Sequence, residues 1–369
     1  MKILITGGHL SPALAVIEAY LKKKLSGEII FVGRKYINEF EKTFSLEYRE
    51  VTKKNIRFIP LRAGRFTRVL SLRSLLNLIY IPIGFFEAWQ IIRREKPDVI
   101  LSFGSYLALP IAIIGFIYKI PIFTHEQTIS PGLANRIIGF LAKKVFLAFP
   151  EAANFFDKNK VEIVGNPIRQ IIFTVKKKTI SIKKDRPVIY ITGGSLGSHA
   201  INNHIKNILS QILIKYIVIH QTGDVKQYND YEELLEIKKK LSPSLRSHYF
   251  LKKHFFEEEI GYIYSIADVV IARAGANTFF ELLALEKPTI FIPLPWAANN
   301  EQYFQAKIFE KAKTGIIFNQ KDSSQFLLQL INKIIKERKN YQKNFIHLKH
   351  LFNKNAAEYI VEKISTGLQ

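Results

Sequence analysis

The chain has 369 residues, of which 48% are hydrophobic and 23% charged, a composition that fills cores and excludes a mostly disordered protein. Single domains typically run about 100–200 residues, so this length calls for two. With no cysteine it has no disulfide scaffold, thiolate zinc site or cysteine nucleophile, and it fits a reducing compartment. The 54 Lys+Arg against 31 Asp+Glu give a formal charge of +23. Such an excess points to a polyanionic partner, nucleic acid or an anionic membrane, or to a basic composition spread over the whole surface.

In chain order, short β-branched runs alternate with helix-length amphipathic stretches. The opening Ile3-Leu4-Ile5 is too short an apolar run for a signal peptide. Further buried strands are expected at 29–32, 99–101, 122–124 and 161–164. A second series is expected at 188–191, 217–219, 269–271 and 289–292. This order implies βαβ units and parallel sheets. No run reaches the roughly 18 apolar residues of a spanning helix: 107–123 is interrupted by Pro110, Lys119 and Pro121, and 75–86 is short and carries Pro82. A soluble or peripheral protein is therefore expected.

An internal repeat organises the chain. Ile3-Leu4-Ile5-Thr6-Gly7-Gly8-His9 returns 186 residues later as Ile189-Tyr190-Ile191-Thr192-Gly193-Gly194-Ser195. Each copy reads as strand, glycine turn and helix, so two Rossmann-like α/β domains are expected, over 1–170 and 185–340. A basic linker joins them between Gln170 and Asp185, and a last helix, at about 341–364, is expected to pack back across the join. The carboxyl ends of the two sheets should face one cleft, since ligands of open α/β sheets bind at that edge.

The turn Gly193-Gly194-Ser195-Leu196-Gly197 suits a diphosphate, because glycines admit a close backbone approach and a helix start favours an anion; the other reading is a tight turn without ligand, and a glycine pair alone is a weak signal. The spacing is neither Gly-x-Gly-x-x-Gly nor a P-loop. A second such turn runs through Arg273-Ala274-Gly275-Ala276-Asn277-Thr278, where Asn277 or Thr278 can cap a helix. Glu281 follows within the expected first helical turn, suited to the two hydroxyls of a ribose or simply to the helix dipole. His9 is either a general base for a hydroxyl nucleophile or a capping residue. His125-Glu126-Gln127 ends another strand but is not a zinc His-Glu-x-x-His motif. Asp-x-Asp is absent, which argues against a glycosyltransferase that holds its nucleotide through a metal.

No acidic residue falls between Glu50 and Glu87, while Arg62, Arg65, Arg68 and Arg73 do. An apolar stretch with Ile79, Ile81, Phe85 and Phe86 follows. Basic residues beside an apolar patch describe a membrane-surface contact, or a core helix flanked by a solvated basic loop. A nucleic-acid groove would interleave aromatics, so no nucleic acid is expected.

Taken together, these motifs resemble the MurG family of UDP-N-acetylglucosamine:undecaprenyl-diphospho-muramoylpentapeptide N-acetylglucosaminyltransferases. They comprise Thr6-Gly7-Gly8-His9, Gly104-Ser105-Tyr106, His125-Glu126-Gln127 with Asn135, Gly165-Asn166-Pro167, Gly193-Gly194-Ser195, His220-Gln221-Thr222-Gly223, Arg273-Ala274-Gly275-Ala276 and Gln302, all in order over nearly the whole chain. The resemblance implies a GT-B fold and an inverting, metal-independent transfer of N-acetylglucosamine from UDP-GlcNAc to lipid I in peptidoglycan synthesis. It implies no cofactor and a peripheral place on the cytoplasmic face of the membrane. It assigns His9 as general base. The donor would meet Thr6, Gly7, Gly8, Thr128, Arg169, Gly194, Ser195, Ala276, Asn277, Thr278 and Gln302, with Phe256 near the uracil and Glu281 at the ribose. Tyr106, Glu126 and Asn135 would line the acceptor side.

The sequence departs from the family at four places. The first loop is shortened, Thr128 stands where asparagine is usual, Leu196 replaces a glutamine, and Glu301 stands where histidine is common. The rival readings are a processive diacylglycerol glycosyltransferase of the same fold, a UDP-sugar epimerase, and a non-enzymatic basic protein on membrane or nucleic acid.

Overall fold

The computed structural model describes residues 1–36, 43–64, 72–194, 196–224 and 227–367, with backbone alone at 72–79 and 298. The chain divides into two compact units, Met1–Arg169 with Asn353–Gln369, and Gln170–Phe352.

In the first unit the order is β1 (Lys2–Thr6), α1 (Leu10–Lys22), β2 (Glu28–Gly33), α2 (Leu46–Lys53), β3 (Arg57–Pro60), α3 (Leu72–Glu95), β4 (Val99–Ser102), α4 (Ala108–Ile117), β5 (Ile122–Glu126), α5 (Leu133–Leu141), β6 (Lys144–Leu147) and β7 (Val161–Ile163). The sheet is parallel, ordered β3-β2-β1-β4-β5-β6-β7. Both faces are covered, which is why these strands read as unbroken apolar runs. Ile3 and Ile5 point to one face, packed with Leu14 and Ile17 of α1; Leu4 points to the other, with Ile91 of α3 and Ile111 of α4. Period-two alternation therefore sorts each strand between two cores.

The second unit runs β8 (Val188–Thr192), α6 (His199–Lys215), β9 (Ile217–Gln221), α7 (Asp230–Lys240), α8 (Pro243–Arg246), β10 (Tyr249–Lys252), α9 (Glu257–Ile266), β11 (Val269–Ala272), α10 (Ala276–Ala284), β12 (Thr289–Phe291), α11 (Glu301–Lys311), β13 (Gly315–Ile317), α12 (Ser324–Lys336) and α13 (Arg338–Lys343). Its parallel sheet is ordered β10-β9-β8-β11-β12-β13. The strand order thus reverses beside β1 in one sheet and beside β8 in the other. These two switch points, each followed by a glycine turn, are the structural form of the internal repeat.

Edge strands β3, β10 and β13 and inner strand β6 escaped the sequence reading; each is only three or four residues long. The stretch expected as one helix over 341–364 is broken into α13, a 3-10 segment Asn344–Leu351 and α14 (Ala356–Thr366). Ala357, Ile360, Val361 and Ile364 of α14 fill the first unit's core beside α1.

Candidate active site

At the first switch point the loops after β1 and β4 meet backbone to backbone. A Cβ on Gly8 would lie 2.3 Å from the Gly104 carbonyl oxygen, so only glycine fits. His9 occupies the N-cap position of α1, but its side chain makes no capping hydrogen bond. Burial pushes its imidazole down to about 4, so at pH 7 the ring is neutral and holds a free lone pair. His125, at the end of β5, is buried with its ring 5.9 Å from Phe103. Its Nε2–H donates to the Gly165 carbonyl at 3.1 Å. Desolvation, helped by nearby His9, lowers it to about 4 against the pull of that bond.

Glu126 and Asn135 are brought together. Asn135 Nδ2 donates to Glu126 Oε2 at 2.5 Å, and Thr128 donates through its amide (2.8 Å) and hydroxyl (2.7 Å) to Oε1. Asn135 Oδ1 accepts from the Ser105 amide at 2.9 Å. Desolvation raises the Glu126 carboxyl, opposed by these bonds. The network fixes the β4–α4 loop, where Gly104 and Ser105 are both left-handed (φ 79° and 76°) and carry half-buried Tyr106. Glu126 and Asn135 thus act on each other and on this loop, and Thr128, expected on the donor side, joins them. Beside this network Thr6 Oγ1, His125 Nδ1, Gln127 Oε1 and Asn166 Oδ1 are buried without a hydrogen-bond partner among the described residues. Four such atoms at strand ends each cost about 1–3 kcal/mol unless a ligand's polar groups meet them. Arg169 lies half-buried at the boundary of the unit.

At the second switch point Gly194 is left-handed (φ 84°), and its amide donates to Thr192 Oγ1 at 3.1 Å. Ser198 caps α6, accepting from the Ile201 amide. Ser195 lies outside the described residues. The helix after β11 begins earlier than expected: Gly275 is its N-cap, so Asn277 and Thr278 sit in the first turn and cap nothing, and Glu281 stands a turn further on. Glu281 Oε2 accepts from the Tyr264 hydroxyl at 3.0 Å. Asn277 Oδ1 is buried without a partner among the described residues. Phe256 starts α9 with its ring 65% exposed, and its amide donates to Glu259 Oε2 at 2.8 Å. Gln302 Oε1 accepts from the Leu294 amide at 3.0 Å, which fixes the loop after β12.

Two residues with no assigned role prove central. Arg273 donates to the carbonyls of Ile292 (2.8 Å) and Pro293 (3.2 Å) and to Gln320 Oε1 (3.0 Å). Desolvation lowers it only to about 10, so it stays charged at pH 7. Gln221 ties the glycine turn to its neighbours. Their appearance in the motifs was the only signal that sequence offered.

Two family models match: the glycosyltransferase family 28 N-terminal domain over residues 6–147 and its C-terminal domain over 188–361. The Clostridium perfringens UDP-N-acetylglucosamine–N-acetylmuramyl-(pentapeptide) pyrophosphoryl-undecaprenol N-acetylglucosamine transferase is 34% identical over 351 residues, covering 92% of each chain. The protein of that name from Clostridium tetani is 31% identical over 373 residues, covering 98% of this chain and 97% of its own. This chain belongs to the MurG family. Its fold is that of the crystal structure of Acinetobacter baumannii MurG, with a TM-score of 0.72 at 23% identity over 99% of both chains. UDP-GlcNAc 2-epimerase from Neisseria meningitidis, solved with UDP-GlcNAc, shares the fold at a TM-score of 0.66 and 15% identity, over 99% of this chain and all of its own.

Neutral buried histidines make this family member sensitive to acid. His220 is fully buried between Tyr249 and Asn202, and burial pushes it down to about 3. An unfolded histidine takes its proton near pH 6.5, whereas His125 and His220 do not until about pH 4 or below. The unfolded chain therefore binds more protons in this window, and stability falls as pH drops through it. At pH 5 each should cost about 2 kcal/mol relative to pH 7.5. Urea denaturation at the two pH values checks this; coincident midpoints would mean the histidines are not held neutral.

Proposed function

We infer that the chain is a hexosyltransferase that moves N-acetylglucosamine from UDP-GlcNAc to undecaprenyl-diphospho-MurNAc-pentapeptide (lipid I), giving lipid II for peptidoglycan synthesis. The observation that carries this is identity of 34% to a transferase of that name along 92% of both chains. Labelled UDP-GlcNAc incubated with lipid I should yield labelled lipid II.

The donor's diphosphate rests on the turn at Gly193 and Gly194, with Ser195, in the segment that leads into α6, whose helix dipole favours an anion. Glu281, oriented by Tyr264, accepts the ribose hydroxyls, and the exposed ring of Phe256 meets the uracil. His9 takes the proton of the acceptor's C4 hydroxyl as that oxygen bonds to the anomeric carbon. The bond from that carbon to the UDP oxygen breaks, UDP leaves with the electron pair, and the configuration inverts. A histidine near 4 is a weak base in the empty protein, but anionic substrates beside it favour the imidazolium and raise its proton affinity. No metal is needed in this reading, and the chain has no Asp-x-Asp.

The lipid tail of the acceptor places the reaction at the cytoplasmic face of the membrane, with the first unit as the docking side. No helix of the described residues is long and apolar enough to cross a bilayer. Only part of the expected docking surface falls among the described residues. Arg62 is held by Glu87 at 2.6 Å, Arg65 and Arg68 lie outside the described residues, and so do the side chains of Arg73 and Ile79. Ile81 and Phe85 are half-buried, whereas Phe86 is 57% exposed. Phe86 leans on Trp89, whose indole N–H donates to the Tyr118 hydroxyl at 2.9 Å. Phe116 and Ile117 beside it and Phe140 on α5 are also exposed, with Arg93, Lys119 and Lys160 nearby in sequence or space. Apolar insertion at about 25 cal/mol per Å² and about 1 kcal/mol per basic residue would add together.

Three outcomes are expected. Glu281→Ala weakens UDP binding about tenfold or more by calorimetry, since hydrogen bonds to a charged group contribute roughly 1.5–3 kcal/mol; unchanged affinity would remove the ribose role. His9→Ala lowers turnover about 10²–10⁴-fold and leaves UDP affinity intact; a loss below about threefold would make His9 structural. Wild type floats with anionic vesicles, less so in high salt, while a Phe86→Ser/Ile117→Ser/Phe140→Ser variant binds UDP but stays unbound to vesicles. Equal flotation of the two, or none by wild type, would misplace the docking surface.

A further inference from the structure

Gln221, the last residue of β9, is 7% exposed and uses both ends of its amide on the loops around it. Its Nε2 donates to the Gly194 carbonyl at 3.0 Å and to Thr192 Oγ1 at 3.2 Å. Its Oε1 accepts from the Phe255 amide at 3.0 Å and from the Tyr190 hydroxyl at 3.4 Å. The orientation is unambiguous: a carbonyl oxygen demands a donor, and a backbone N–H demands an acceptor. One buried side chain therefore bridges the turn after β8 and the loop after β10.

Both loops have further ties: the Gly194 carbonyl also accepts from the Gly197 amide at 3.2 Å, and the Lys253 carbonyl, after β10, from the Gly223 amide at 3.0 Å. The Gly194 amide donates to Thr192 Oγ1, the same oxygen that Gln221 contacts. The Phe256 amide is taken by Glu259, leaving Phe255 to Gln221. Beneath them the Tyr190 ring packs edge-on against both Phe255 (6.1 Å) and Tyr264 (5.6 Å), and Tyr264 in turn orients Glu281. Three points that a nucleoside diphosphate touches thus converge on Tyr190 and Gln221. The Gln221 amide holds a donor and an acceptor a fixed distance apart, so one side chain meets a carbonyl and an N–H at once.

We propose that Gln221 is a positioning residue that sets the spacing between the diphosphate turn at Gly194 and the base-binding loop at Phe255–Phe256, and so selects a nucleoside diphosphate over the nucleoside alone. This rests on the reading of the second switch point as the UDP site. Gln221 does not touch the reacting atoms; it fixes the two backbone segments that hold the ends of the nucleotide, so its effect falls on the increment in affinity that the phosphates add.

The test is the affinity of the full chain for UDP and for uridine at pH 8, by calorimetry with competition for the weaker ligand. Gln221→Glu keeps an oxygen for the Phe255 amide and sets a carboxylate oxygen against the Gly194 carbonyl. UDP binding should fall about tenfold or more while uridine binding changes less than about twofold. Thr192→Val, a near-isosteric change that removes the shared oxygen, should shift the UDP-to-uridine ratio in the same direction by about threefold or more even if Gln221→Glu folds poorly. A ratio equal to wild type in a folded Thr192→Val protein, or equal losses of both ligands in Gln221→Glu, would overturn the assignment. Failure of wild type itself to bind UDP would instead remove the donor reading, and this assignment with it.

Discussion

Backbone packed against backbone at the carboxyl ends of the strands is the constraint on which both candidate sites depend. In the first unit Gly8 lies where any Cβ would strike the Gly104 carbonyl. In the second, Gly197 and Gly223 interlock, and a Cβ on Gly197 would fall 2.0 Å from the Thr222 carbonyl oxygen. Such closeness leaves amides at the sheet edge with no side chain over them. A ligand's phosphates can then approach as closely as another backbone would.

Loops held this tightly need their remaining polar groups met, and the sequence supplies buried amides and carboxylates for that purpose. Glu126, Asn135 and Thr128 do so beneath the Gly104–Ser105 turn, and Gln221 with Thr192 beneath the Gly194 turn. Each network is satisfied within itself, so it contributes rigidity. Among the described residues Thr6 Oγ1, His125 Nδ1, Asn166 Oδ1 and Asn277 Oδ1 are buried without a hydrogen-bond partner, each at or shortly after the carboxyl end of a strand. Fully satisfied supports beneath partly unsatisfied contacts are the arrangement expected of a preorganised binding edge.

The charge excess has a plainer distribution than its size suggests. Several basic residues are engaged locally: Arg57 with Glu28 and Glu95, Arg62 with Glu87, Lys253 with Asp224 and Glu232. The exposed pairs among them, Lys253 with Asp224 and Glu232, contribute little to stability. The large positive balance is therefore chiefly a long-range field over the surface.

The sequence by itself determined the repeat, the two parallel sheets and the turns at their switch points, because buried parallel strands are unbroken apolar runs and glycine is forced where backbones touch. Residues 3–5 and 189–191 with their following glycines carried that information locally. The short strands β3, β6, β10 and β13 were invisible, since their pairing is set by neighbouring strands and not by their own pattern. The start of α10 at Gly275 also depended on the fold: the path of the β11 loop, held where Arg273 reaches Ile292 and Pro293, decided which residue became the cap. His9, Glu126 and Glu281 were legible as candidates because few residue types do acid–base or ribose chemistry. That Glu126 is spent on Asn135, Arg62 on Glu87, and that Gln221 bridges two loops, only the tertiary structure decided. Hydrogen-bond partners 9 to 34 residues apart are chosen by packing, and no local pattern encodes that choice.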